Sequence, residues 1–212
     1  MKRLAMVLCL FALFLSPAWV VGATTWDVTA DFSLSSNPNG VWSYGWSDGT
    51  LHLYDTASGQ WYDSGHHGGD YTPTIWKNVS SSMAYGVLPG EVSLHPGSSG
   101  EWSVARWTSP ISGTVTINGW FGAGDLGSMS YAIYENGKQE FYKPYASGNE
   151  SFNLTAVVTS GTTIDFMVGE AYAYGNTPLH ATIATVVPIP SAILLLGPGL
   201  FGFAAIRRRF KI

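Results

Sequence analysis

Two long apolar runs, residues 4–15 and 191–206, stand near the extremities of this 212-residue chain, so whatever folds in water must be built from the stretch between them. Lys2 and Arg3 precede the first run, and the small residues Val21 and Ala23 follow it. This is the three-part layout of a secretory signal peptide cut before Thr24. The run is short for a bilayer span, and the polar Thr24, Thr25 and Asp27 come directly after it. Residues 1–23 are therefore expected to be removed on export and to take no part in the fold.

The second run is closed by Arg207, Arg208, Arg209 and Lys211. Basic residues just past an apolar span stay in the cytoplasm, which places the bulk of the chain on the other side of the membrane. A span of about 16 residues falls a little below the usual ~20, but Val186 and Val187 extend it and snorkelling arginines help. Gly197, Pro198, Gly199 and Gly202 would weaken a helix in water, yet such residues are tolerated in lipid. Just upstream, Pro188 and Pro190 hold the backbone extended and keep a helix from starting there, which offers a peptide-cleaving enzyme a segment to grip.

The string Val187-Pro188-Ile189-Pro190, the glycine-interrupted apolar stretch and the basic stop at Arg207, Arg208 and Arg209 together resemble the PEP-CTERM family of bacterial sorting signals. The resemblance implies that residues 187–212 are a sorting tail that crosses the membrane as a transient helix. It also implies a partner, a membrane-embedded cysteine transpeptidase or exosortase, which cuts near the Pro-x-Pro motif and passes the protein to the cell envelope or extracellular matrix. Ile189 stands where the family's usual glutamate is, as in a related subtype of the signal.

Six of the ten basic residues lie in the two end segments, leaving Lys77, Arg106, Lys138 and Lys143 against all 14 carboxylates, a formal charge of −10 for the body. Such a body is repelled by phosphate backbones and anionic lipid, which excludes nucleic acid as a partner. Cys9 is the only cysteine and leaves with the signal peptide. The body then has no disulfide, no thiol nucleophile and no cysteine metal site. At about 164 residues it is long enough to bury one core without crosslinks.

Strand periodicity runs through that body. Val115 and Ile117 alternate with Thr114 and Thr116; Ile164, Phe166 and Val168 with Thr163, Asp165 and Met167; Leu179, Ala181 and Ile183 with His180 and Thr182. Asn136-Gly137 between 131–135 and 138–142 is a two-residue hairpin turn, since both central positions need positive φ. Further strands are expected at 49–54, 83–85, 102–107 and 151–158. Frequent glycine breaks any helical stripe. The expected fold is all-β, a single antiparallel β-sandwich of jelly-roll-like order over residues 24–186. Asn37-Pro38-Asn39-Gly40-Val41-Trp42-Ser43-Tyr44-Gly45, Leu94-His95-Pro96-Gly97, Arg106-Trp107-Thr108-Ser109-Pro110 and Gly161-Thr162-Thr163-Ile164-Asp165-Phe166 resemble landmarks of domains that precede such tails.

Nine tryptophans, of which only Trp19 lies in the signal segment, and 11 tyrosines give the body a high aromatic load. Rings of this kind either fill a core or stack on sugar faces. Trp42, Trp46 and Trp61, set among Gly, Ser and Asp, look least core-like and are the candidate contacts to an extracellular polysaccharide. His66 and His67 lack the spacing of a zinc site. Asp63 and Asp70 are candidate Ca²⁺ ligands, but without an ordered Asp-x-Asp spacing; no cofactor is expected. No nucleophile elbow, zinc-protease helix or phosphate loop occurs, and Ser93, His95 and Ser98 share a loop rather than a triad. Glu91, Glu101, Glu135 and Glu170 are the acids a glycosidase would draw on. The expectation is a non-catalytic envelope or matrix protein; a polysaccharide-degrading enzyme and a structural surface protein without a glycan ligand are the alternatives.

Overall fold

The alternation of apolar with small polar residues makes this chain a succession of strands. In chain order these are β1 (Thr25–Asp27), β2 (Trp42–Ser47), β3 (Leu51–Leu53), β4 (Thr56–Ala57), β5 (Gln60–Tyr62), β6 (Thr74–Lys77) and β7 (Val92–His95). Then follow β8 (Trp102–Thr108), β9 (Gly113–Phe121), β10 (Met129–Glu135), β11 (Lys138–Ala146), β12 (Glu150–Val158), β13 (Thr163–Gly169) and β14 (Thr177–Thr185). The computed structural model describes residues 22–186, and no helix occurs among them. The expected signal peptide, the Val187-Pro188-Ile189-Pro190 motif, the apolar tail and the basic cluster lie outside the described residues.

The strands form two antiparallel sheets. One runs β12-β9-β14-β7-β6-β5-β4, with β1 also against β14, and the other runs β11-β10-β13-β8-β2-β3. The last eight strands are nested: β10 pairs with β11, β9 with β12, β8 with β13 and β7 with β14. They amount to one long hairpin whose successive pairs fall alternately in the six-stranded and the eight-stranded sheet. Its tip is the Asn136-Gly137 turn, with φ of 48° and 81°, as the turn chemistry requires.

Aromatic rings join the sheets. Phe121 of β9 stacks on Tyr131 of β10 at 5.0 Å, Phe152 of β12 meets Phe166 of β13 at 5.7 Å, and Trp26 of β1 meets Trp107 of β8 at 5.2 Å. Phe121, Tyr131, Phe166 and Trp107 are buried, and around them pack Leu94, Ile117, Ile133, Val168 and Ile183. Pairs of this kind add about 0.5–1.5 kcal/mol each beyond their area burial.

Two expected strands differ. The segment 49–54 shortens to β3, and 83–85 is loop, where Ala84 and Val87 form an isolated bridge and Tyr85 has a φ of 51°. Asn78 organises that loop instead, donating to the carbonyls of Ser82 and Val87. The three tryptophans read as least core-like are core residues: Trp42 is 0 % exposed, Trp46 6 % and Trp61 5 %. Trp42, Tyr44 and Trp46 occupy alternate positions of β2, so the small residues between them were one side of a strand rather than a loop signature. Trp61 sits opposite Ile75 and donates its indole N–H to the Ser33 carbonyl at 2.8 Å.

Phe166 touches rings from both directions, Trp42 beside it and Phe152 across from it. Phe166→Ala is expected to destabilise the domain by about 3–5 kcal/mol, read as a lowered Tm or urea midpoint.

Candidate functional site

Since one side of the six-stranded sheet is filled by the aromatic core, the alternate positions of the same strands face outward. On β8 these are Trp102, Val104 and Arg106, the residues between Ser103, Ala105 and Trp107. Register extends them into rows across the sheet. Ser43, Arg106, Asp165 and Tyr134 form one row, and Gly45, Val104, Met167 and Ala132 the next. A third brings Ser47 opposite Trp102 and Gly169 opposite Ser130. Over these rows lies a groove of about 820 Å³, walled by Asp48, Gly49 and Leu51 on one side and by Gly137 and Glu170 on the other.

Trp102 supplies the groove's flat aromatic face. A methyl group on Gly169 would come within 2.2 Å of the indole Cδ2, 2.5 Å of Cγ and 2.6 Å of Cε2, so the ring lies directly on the β13 backbone. Glycine inside a strand often marks such a close approach. Beside it Arg106 donates Nε and Nη2 to the two carboxylate oxygens of Asp165, at 2.6 and 2.7 Å. Asp165, hydrogen-bonded to it, holds the guanidinium still more firmly protonated. Two parallel charge-assisted bonds between directly opposed residues fix both side chains in place.

At the β2 end, Trp46 lines the groove but offers no free face. His52 stacks on it at 4.2 Å and 19°, His66 at 4.1 Å and 12°, and its N–H is taken by Asp63 at 2.9 Å. All three tryptophans singled out as glycan contacts belong to the core, then, and Trp46 also lines the groove. Trp102, Tyr134, Arg106, Asp165 and Glu170 do line the groove. The signal for Trp102 and Arg106 was present in the period-two pattern of β8, whose inward half ends in Trp107.

The four glutamates divide. Glu101 and Glu170 line the groove; Glu91 and Glu135 do not. Glu91 accepts from the Leu88 N–H at 2.7 Å and lies 3.0 Å from His180 Nε2. Both oxygens of Glu101 are engaged, one by His66 at 2.8 Å and the other by the Ser99 N–H at 2.8 Å. Burial pushes this carboxyl up, but its own backbone N–H, His66 and Ser99 outweigh that and leave it below the usual carboxylate range. Glu170 sits at a φ of 62° and accepts from Ser130 at 2.5 Å and Tyr142 at 2.6 Å, both on one oxygen. Its other oxygen receives no hydrogen bond from the described residues.

The candidate Ca²⁺ ligands Asp63 and Asp70 each direct their carboxylate oxygens to protein donors. Asp63 serves the Trp46 indole and the Gly65 N–H, and Asp70 serves the hydroxyls of Thr72 and Tyr172. Among the described residues, no three His, Cys, Asp or Glu side chains gather as metal ligands would. His66 and His67 diverge, the first onto Trp46 and the second onto Tyr71. His95 is buried with its Nδ1 donating to the Pro96 carbonyl and its Nε2 accepting from the Gly175 N–H, so it has no nitrogen left for Ser93.

No family model matches the chain, and no curated protein matches it. Solved structures overlap it in part. The GH26-CBM35 β-(1,4)-mannanase of Podospora anserina shares 12% identity over 80% of this chain and 29% of its own, at a TM-score of 0.35. The CBM36-1 domain of a multidomain xylanase from the hindgut metagenome of Trinervitermes trinervoides shares 11% over 49% and 82%, also at 0.35. Rabbit GITRL shares 12% over 39% and 73%, at 0.31.

A carboxyl whose folded-state pKa lies below its unfolded value stabilises the fold fully above that unfolded value and loses the effect as pH falls through the folded one. For Glu101 the loss therefore falls below about pH 4.3. Glu101→Gln is expected to lower Tm most near neutral pH, with the wild-type and variant curves converging as pH drops below about 4.

Proposed function

We propose that this chain is an exported envelope or matrix protein, delivered by an exosortase through its Pro-x-Pro tail, whose sandwich holds extracellular polysaccharide without cleaving it. The observation that carries the ligand part is Trp102, a partly exposed indole laid flat on Gly169 in an open groove, with the fixed Arg106–Asp165 pair and Tyr134 alongside. A sugar ring presents an apolar C–H face to such a plane and its hydroxyls to the polar groups around it. The nested pairing of β7 to β14 supports reading the sandwich as a jelly roll.

Absence of catalysis is part of the proposal, and the way Glu101 is held supports it. A glycosidase needs one carboxyl kept protonated, and Glu101 is biased the other way with both oxygens occupied. The degrading-enzyme alternative draws on one observation, that Glu101 and Glu170 line the same groove. It predicts release of new reducing ends from a polysaccharide, abolished by Glu170→Gln.

For the sorting part, Pro188, Pro190, the apolar run and Arg207 to Arg209 are the support, with the membrane engaged only until the tail is removed. Intact mass of the envelope-derived protein is expected to show loss of residues 1–23 and cleavage near Pro190; a chain whole at both ends would refute it. For the ligand part, Trp102→Ala is expected to weaken retention on the producer's own immobilised polysaccharide by roughly tenfold. Gly169→Ala, which displaces the ring without removing it, is expected to act in the same direction. Unchanged retention in both variants places the binding outside this groove, and no retention of the unaltered protein leaves a structural surface protein.

A further inference from the structure

We infer that the polysaccharide fitting this groove carries amines: a cationic hexosamine polymer rather than a neutral or uronic one. The inference rests on the groove being the glycan site. Its lining carries four carboxylates, Asp48, Glu101, Asp165 and Glu170, against Arg106 and the imidazole of His66. Asp165 already neutralises Arg106 through both of its oxygens, His66 and the Ser99 N–H occupy both oxygens of Glu101, and His52 stands against one oxygen of Asp48, so Glu170 and the second oxygen of Asp48 are the negative charge left for a ligand.

The other cations of the body give no relief. Lys77 donates to the Thr29 carbonyl, Lys138 pairs with Glu140 and Lys143 with Glu150, and none of the three lines the groove. A polyuronate entering here would meet like charge on the wall and in the far field alike.

A neutral glycan is usually read by groups that both donate and accept, of which the carboxamides of Asn and Gln are the most versatile. Not one Asn or Gln lines the groove, although Asn37, Asn78, Asn136 and Asn176 do such work elsewhere in the fold. What the groove offers suits an ammonium group, which has three donors and no acceptor.

Two carboxylates have an oxygen to give. Asp48 accepts from the Thr50 N–H and lies 3.3 Å from His52 Nε2, both on Oδ1. Its Oδ2 takes no bond from the described residues. Glu170 is placed in the groove by a left-handed backbone conformation, which a residue with a side chain seldom adopts. Ser130 and Tyr142 hold one of its oxygens and leave the other unbonded. Trp102 and Tyr134 add faces on which a cation is attracted by the ring quadrupole.

The test uses the full-length chain in mild detergent and three immobilised polymers: a β-1,4 glucosamine polymer at a pH where its amines are protonated, its fully N-acetylated twin, and a polyuronate. Expected is retention on the amine polymer about tenfold above the acetylated twin, falling as salt rises past about 0.15 M, with none on the polyuronate. Asp48→Asn and Glu170→Gln are each expected to weaken it about threefold to fivefold, while Glu135→Gln, outside the groove, leaves it unchanged. Asp48 is an exposed residue, so that variant keeps its fold, and the Tm of each variant checks this directly. Equal retention on the amine polymer and its acetylated twin, insensitive to both variants, overturns the amine inference and leaves the groove reading standing. An equal loss with Glu135→Gln overturns it too, by assigning the binding to diffuse charge. Preference for the polyuronate also overturns it, and retention on none of the three counts against the groove itself.

Discussion

Rings reaching from one sheet to the other fix which side of each strand lies inside, and the groove exists because of that choice. Phe121 against Tyr131 and Phe152 against Phe166 pin β9, β10, β12 and β13 in register. A slip of β8 by one residue would turn Trp107 and Ala105 outward and drive Arg106 into the core, where an unpaired ion is prohibitively placed. The Arg106–Asp165 pair therefore does two things at once: it rewards the correct register of β8 on β13 and stiffens the floor on which Trp102 rests. Its worth as a net energy is small for a partly exposed pair, but the alternative register is excluded by a much larger desolvation term.

The acids of this body are mostly organisers of loops. Asp27 accepts from the N–H groups of Thr29 and Ala30, Asp55 from the N–H and hydroxyl of Ser64, and Asp63 from Trp46 and Gly65. Glu101 belongs with them, since Gly97 must lack a side chain for the Glu101 carboxylate to fold back over its turn. With so few cations in the body, backbone N–H groups and hydroxyls take over the role that ion pairs play elsewhere. Among the acids that line the groove, Asp48 and Glu170 are the two that keep an oxygen free of hydrogen bonds from the described residues.

Period two was enough to place β9, β13, β14 and the Asn136-Gly137 hairpin, because there apolar residues such as Val115, Ile117, Ile164, Phe166, Leu179 and Ile183 alternate mostly with Thr, Asp and His. It failed at β2, where the outward residues are Ser and Gly and read as loop, so the core residues Trp42 and Trp46 looked exposed. The groove was not legible for a different reason. Gly169 and Trp102 are 67 positions apart, and only the pairing of β13 with β8 lays one on the other. Composition shows that glycine is abundant; register decides which glycine makes room for which ring. The acidic charge of the body was visible from counting, but not that its one arginine is paired on the groove floor.

A body without cysteine still has to hold a long N-terminal stretch of little regular structure, and carboxamides do it. Asn37 accepts from the Tyr44 N–H at 2.8 Å and donates to the carbonyls of Tyr44 at 2.7 Å and Tyr54 at 2.8 Å. One side chain thus closes three backbone groups across β2 and the residue after β3. Each such bond contributes about 1 kcal/mol net, but removing the side chain would strand all three groups at once, and unsatisfied buried groups cost more than the bonds return. Ser47, Asp48 and Leu51, at the turn of this β2–β3 hairpin, line the groove, so Asn37 ties the open end of the hairpin whose turn reaches the site.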